Sequence, residues 1–182
     1  MAVAHLAEAL REYFFSQHLA HDVEIRNGEI VVVSPHDFIS SNIVVRLAAR
    51  MTVFVEERNL GYVVESNAGF RYDDGDLLAP DLAFVSRERL PVAPRSFANV
   101  VPEIVIEVQS STQRPSAVRA KLALLLEKGS TLGVYIDPDQ HTVEVHRPNH
   151  PRTTLTDGDM LTFDGILPGL SIEVISLWPR LT

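Results

Sequence analysis

One run of residues constrains this chain more than any other: Glu103-Ile-Val-Ile-Glu107-Val-Gln109, preceded some two dozen residues earlier by Pro80-Asp81. Both places put a carboxylate on an apolar, β-prone segment. An ionised acid in such surroundings costs several kcal/mol unless it is paired, protonated or bound to a metal. Side chains alternate across a strand. Glu103, Val105, Glu107 and Gln109 therefore share one face, and Ile104, Ile106 and Val108 take the other, wholly apolar one. Glu107 and Gln109 should point toward whatever Asp81 reaches. Two acids converging from separate strands suggest a divalent-cation centre, because magnesium takes one or two carboxylates and fills its octahedron with water and phosphate. Asp81, Glu107 and the Val108 carbonyl are the expected ligands. The plainer alternative leaves each acid at a strand end, half in water and without a role.

The rest of the pattern sets the architecture. Residues 2–18 carry a helical stripe of Leu6, Ala9, Leu10, Tyr13 and Phe14. Asn27-Gly28 between two β-prone runs predicts a hairpin. Ile39, Ile43, Leu47 and Met51, spaced by four, predict a second helix over 37–58, with Ser34 or Asp37 as its cap. Strands are expected at 62–65, 70–72, 82–85, 101–109, 133–137, 142–147 and 170–175. Pro115 can open a helix that Gly129 closes, between two of those strands. This is an α/β domain with a central mixed sheet, N-terminal helices and a hairpin, and the 182 residues suffice for one such domain over 1–182.

Composition excludes several functions. The chain has no cysteine, so disulfides, thiolate metal sites and cysteine nucleophiles are out. The N-terminus shows no signal peptide, and no apolar run reads as a membrane span, so a cytoplasmic protein without a membrane partner is expected. The net charge of −8 argues against broad, non-specific nucleic-acid binding. The cations are mostly arginine; Lys121 and Lys128 are the only lysines. Arg87, Arg89, Arg95, Arg114 and Arg119 lie close in sequence to the acidic segments, and arginine suits bidentate contact with phosphate. As scattered surface charges they would need no function. His18 with His21, and His146 with His150, read as surface or loop groups. Asp73, Asp74 and Asp76 read as a turn, and Trp178 as a core or dimer contact.

Several segments, in order, carry a resemblance. They are Gly69-Phe-Arg71, Leu78-Ala-Pro-Asp-Leu-Ala-Phe-Val85, Glu107-Val-Gln-Ser-Ser-Thr-Gln-Arg114, Lys121, Gly133-Val-Tyr-Ile-Asp-Pro138 and Leu167-Pro-Gly-Leu170. Over nearly its whole length the chain resembles the Uma-type restriction-endonuclease family, within the PD-(D/E)xK nuclease superfamily. The resemblance implies a restriction-endonuclease-like fold and a Mg2+- or Mn2+-dependent endonuclease acting on nucleic acid, with DNA the expected substrate. Asp81 matches the Asp after Pro, and Glu107 the acid of the second motif. The superfamily has a lysine two residues beyond that acid, where Gln109 stands. The family's lysine matches Lys121 on the following helix, where it would act on the attacking water or the phosphate with Gln109 in support. Arg114 and Arg119 would hold the nucleic-acid backbone, and a homodimer would serve duplex cleavage. Two departures stand out: Ala117 in place of a small acidic position, and no histidine at the start of the second helix, His36 lying earlier. They keep open a catalytically inactive binding or scaffold domain, and a hydrolase of small phosphate substrates is the second alternative.

Overall fold

A computed structural model describes residues 23–179. The expected helix over 2–18 and the pair His18 and His21 lie outside them. The hairpin forms as expected: β1 (Val23–Arg26) and β2 (Glu29–Val32) pair antiparallel with Val23 opposite Val32. Asn27 and Gly28 both take positive φ, 51° and 77°, which a two-residue turn matched to strand twist requires.

Helix α1 (Phe38–Glu57) follows. It is long and apolar enough to cross a membrane by length and composition, which the sequence reading did not anticipate. Its packing has another logic. Ile43, Leu47, Met51 and Val55 form one buried stripe in the main core, while Arg46 and Arg50 both reach the Ser176 carbonyl.

The chain then lays down β3 (Gly61–Glu65), β4 (Phe70–Arg71), β5 (Leu77–Leu78), β6 (Leu82–Ser86) and β7 (Ile104–Val108). Next come α2 (Pro115–Glu127), β8 (Leu132–Asp137), β9 (Thr142–His146), β10 (Thr153–Leu155), β11 (Met160–Thr162) and β12 (Ser171–Glu173), and then a 3-10 turn over Val174–Leu177. The central sheet has six strands in the order β10-β9-β8-β7-β6-β3. Its neighbours are antiparallel except β7 and β8, whose parallel pairing needs the α2 crossover. A second sheet, β2-β1-β5-β4, carries the hairpin.

Every residue of β7 is buried because both sheet faces are covered. Ile104, Ile106 and Val108 face the α1 core, and Val105 faces Val118, Leu122 and Leu125 of α2. The alternation expected across this strand is therefore present, with Glu107 on the α2 side.

Candidate active site

Register brings the two acids together. Strands β6 and β7 run antiparallel with Leu82 opposite Ile106. One step further puts Asp81 at the level of Glu107, on the same face. Asp81 is fixed there by the Val108 N–H, which donates to its Oδ2 at 2.7 Å. Both acids are buried, at 4% and 2% exposure.

The third member arrives from α2. Val118, Leu122 and Leu125 turn that helix onto the sheet and take Lys121 inward with them, at 6% exposure. Its Nζ donates to the Ala79 carbonyl at 2.8 Å and lies 2.9 Å from Glu107 Oε1 and 3.1 Å from Glu24 Oε1. The Glu107 contact is a buried ion pair through Oε1, and nothing else hydrogen-bonds that oxygen.

Two residues at this centre were not singled out as site residues in the sequence. Glu24 comes from β1; its carboxylate also pairs with Arg26 Nε at 2.6 Å and accepts from the Ala79 N–H at 3.3 Å. His36 precedes α1, and its Nε2 lies 3.1 Å from Asp81 Oδ1. The helix start lacks a histidine, but His36 supplies an imidazole to the centre from just upstream. Asp37 anchors this arrangement. It caps α1 through the Ser40 N–H at 2.9 Å and ties the helix to the loop after β7 through the Ser111 N–H at 2.7 Å.

Charge at the centre is unbalanced. Glu24, Asp81 and Glu107 face Lys121, with Arg26 behind Glu24. Burial, reinforced by the Asp81 carboxylate, pushes the Glu107 carboxyl well above its ordinary range against the pull of Lys121. Burial alone would lower the Lys121 pKa, but Glu107, Glu24 and Asp81 outweigh it and hold the ammonium protonated. The hydrogen bond to Asp81 raises His36, partly offset by burial. Among the described residues, no three His, Cys, Asp or Glu side chains converge as a ready-made metal cluster. Two hard carboxylates side by side, Asp81 and Glu107, nevertheless fit magnesium or manganese, which complete their shells with water and phosphate.

The other expected site residues lie differently. Gln109 is buried, but its amide is engaged: Nε2 donates to the carbonyls of Ser110 and Gln113, both at 2.7 Å, and Oε1 accepts from Tyr135 Oη at 3.2 Å. It braces the loop after β7. Arg114 is the exposed N-cap residue of α2. Arg119 binds Glu144 through Nε and a terminal nitrogen, the latter at 3.0 Å, and covers the Tyr135 ring at 4.1 Å. Arg89 pairs with Glu103, and Arg87 lies over Tyr62. The remaining groups have structural partners. His146 contacts Glu144, and His150 contacts the Pro148 carbonyl. Asp76 accepts from the Asn27 and Gly28 N–H groups and pairs with Lys128, fastening the hairpin. Trp178 donates to Asp157 and stacks on His141.

The centre opens on a groove of about 970 Å³ lined by Glu24, His36, Ala79 and Asp81 on one side and by α1 on the other. Glu107 and Lys121 sit behind this lining.

Comparison with family models decides the relationship: the model described as "Uma2: Putative restriction endonuclease" matches residues 8–175. The chain belongs to the Uma2 family. Among solved structures, this Uma2 protein is similar to one described as a putative nuclease belonging to DUF820 from Anabaena variabilis. The TM-score is 0.77 at 19% identity, covering 85% of this chain and 88% of that one. That likeness establishes the nuclease-like α/β fold expected from the sequence. Comparison with curated proteins finds no match.

Proposed function

We propose that this Uma2 protein is a metal-dependent nuclease, a hydrolase of nucleic-acid phosphodiester bonds, with DNA the favoured substrate and the cytoplasm its place of action. The observation that carries this reading is the meeting of Asp81 and Glu107 at one level of the sheet, with the Lys121 ammonium paired to Glu107. Family membership and fold support it.

Asp81, Glu107 and the Val108 carbonyl would hold Mg2+ or Mn2+. The bound ion would supply Lewis-acid stabilisation of phosphate charge and a more acidic water. The protein's own groups do the remaining work. The Val108 N–H fixes the Asp81 carboxylate, and His36 holds its other oxygen. Lys121, already positioned by Ala79 and Glu24, offers a permanent positive charge to the phosphate as negative charge develops there. Gln109 supports the site by holding the loop in place. If both strands of a duplex are cut, two sites must act together and a homodimer is the expected form.

A plasmid-nicking assay with manganese tests the reading, comparing wild type with Asp81→Asn. Nicking that disappears in the variant supports it; nicking that persists sinks it. The reading of an inactive binding domain draws on the net charge of −8 and on the occupied amide of Gln109. It predicts no nicking by wild type at any manganese concentration.

A further inference from the structure

Strand register lays a polar row across the sheet beneath α2. Glu107 of β7 stands opposite Tyr135 of β8, and Tyr135 opposite Glu144 of β9. Helix α2 sets one cation on each end of that row. Lys121 pairs with Glu107 at 2.9 Å. Arg119 donates to Glu144 through Nε at 3.2 Å and through a terminal nitrogen at 3.0 Å, and its guanidinium lies 4.1 Å from the centre of the Tyr135 ring. At 3.6 residues per turn, Lys121 falls about 60° to one side of Val118 and Arg119 about 100° to the other. The two cations therefore straddle the buried stripe of Val118, Leu122 and Leu125. Apolar contact is non-directional, so such a stripe holds the helix down but fixes its roll weakly.

The N-terminal end of α2 has little of its own to fix that roll. Its N-cap residue, Arg114, makes no side-chain cap bond, and the first turn carries no acid. Glu144, in contrast, is an anchored point. It is buried at 6% exposure, His146 Nε2 lies 3.1 Å from its Oε2, and Arg152 lies 3.5 Å from its Oε1. A guanidinium fork on a carboxylate held this way is both strong and directional.

We propose that Arg119 is a positioning residue: its clasp on Glu144 and Tyr135 sets the roll of α2 and so holds the Lys121 ammonium against Glu107, and it does not grip the nucleic-acid backbone. Its effect on catalysis rests on the nuclease reading above, which gives Lys121 its role. Its effect on where Lys121 sits does not.

Lysine labelling and kinetics, run on wild type, Arg119→Ala and Glu144→Gln, test both halves. Lys121 and Lys128 are the only lysines in the chain. Acetylation read site by site by mass spectrometry therefore compares them within one sample. Lys128, at the far end of α2 and paired with Asp74 and Asp76, reports general loosening. In both variants Lys121 should label several times faster than in wild type while Lys128 keeps its wild-type rate. In plasmid nicking with manganese, kcat should fall about ten- to hundredfold in both, as for a displaced group. Anisotropy with a labelled duplex in calcium buffer should find the dissociation constant unchanged. An Arg119 that grips phosphate would give the other pattern: weaker binding in Arg119→Ala alone and Lys121 labelling as in wild type. That pattern overturns the proposal, and so does a joint rise in Lys121 and Lys128 labelling. If wild type never nicks, the labelling still decides the clasp and only the nuclease reading falls. If nicking proceeds and Lys121 labelling does not change in either variant, the clasp falls and the nuclease reading stands.

Discussion

Glu107 is held at the centre against its own electrostatics, and this gives it a signature separable from stability. Its folded pKa is raised by burial and by Asp81, so the ionised form is disfavoured in the fold. A raised pKa contributes stability below the unfolded value, near 4.5, and that contribution is lost as pH rises through the folded value. Glu107→Gln removes the ionisation and keeps the shape. Urea unfolding should find the variant's stability relative to wild type increasing as pH rises above about 4.5, while nicking is lost. Lys121→Met is expected to do the opposite. It leaves Glu24 and Glu107 facing each other without their shared cation, and breaking a buried pair costs about 3–5 kcal/mol. Manganese provides an independent check. A cation held by Asp81 and Glu107 stabilises the folded state by mass action, about 2.7 kcal/mol at a hundred times its dissociation constant. Wild type should melt later with manganese, and Asp81→Asn should show no shift. His36 carries a smaller pH effect: its pKa lies above 6.5 through the bond to Asp81. Its stabilising contribution should be full below pH 6.5 and fade as pH rises past the raised value. The stability gap to His36→Gln should close in the same direction.

Among the elements, the ones the sequence disclosed are those with a strong local rule. Asn27-Gly28 sets the hairpin, the four-residue spacing of Ile43, Leu47 and Met51 sets α1, and Pro115 opens α2. Alternation in β7 separated Glu107 from the wholly apolar face, and the resemblance singled out Lys121; the packing of α2 on the sheet is what sets the two side by side. Strands β5, β10 and β11 were missed because two or three residues carry no period. Glu24 and His36 were not recognised at the centre for a different reason. In Val23-Glu-Ile-Arg26 the alternation reads Glu24 as the outer face of a hairpin; only the packing of β1 against β5 buries it. His36 sits in a connection, where no period exists, and its aim depends on how Asp37 docks α1. That docking is testable. Burial would raise the Asp37 pKa, but hydrogen bonds from Ser111 and Ser40 outweigh it and hold the carboxyl well below 3.8. Asp37→Ala should cost about 0.5–2 kcal/mol at pH 7, the range for losing a helix cap. A depressed pKa contributes stability above its unfolded value and loses it as pH falls through the folded one. The gap measured by urea unfolding should therefore narrow as pH falls below 3.8.

At the scale of the whole molecule, charge separates this protein from one that binds nucleic acid through a basic surface. The net charge is −8, and the cations nearest the centre are already committed. Arg26 and Lys121 serve Glu24, Lys128 serves Asp74 and Asp76, Arg89 serves Glu103, and Arg119 serves Glu144. A strand lying in the groove would thus release few counterions. With about one or two phosphates neutralised, the slope of log K against log salt on duplex DNA is about −0.9 to −1.8. Between 50 and 200 mM salt the affinity should then fall only about three- to twelvefold, against roughly 10³–10⁵ for a protein making six to ten phosphate contacts. Anisotropy titrations at several salt concentrations give the slope directly. A value steeper than about −4 would mean that five or more phosphates are neutralised. That would place the interface on exposed arginines such as Arg114, outside the groove lining, and would separate binding from the Asp81–Glu107 centre.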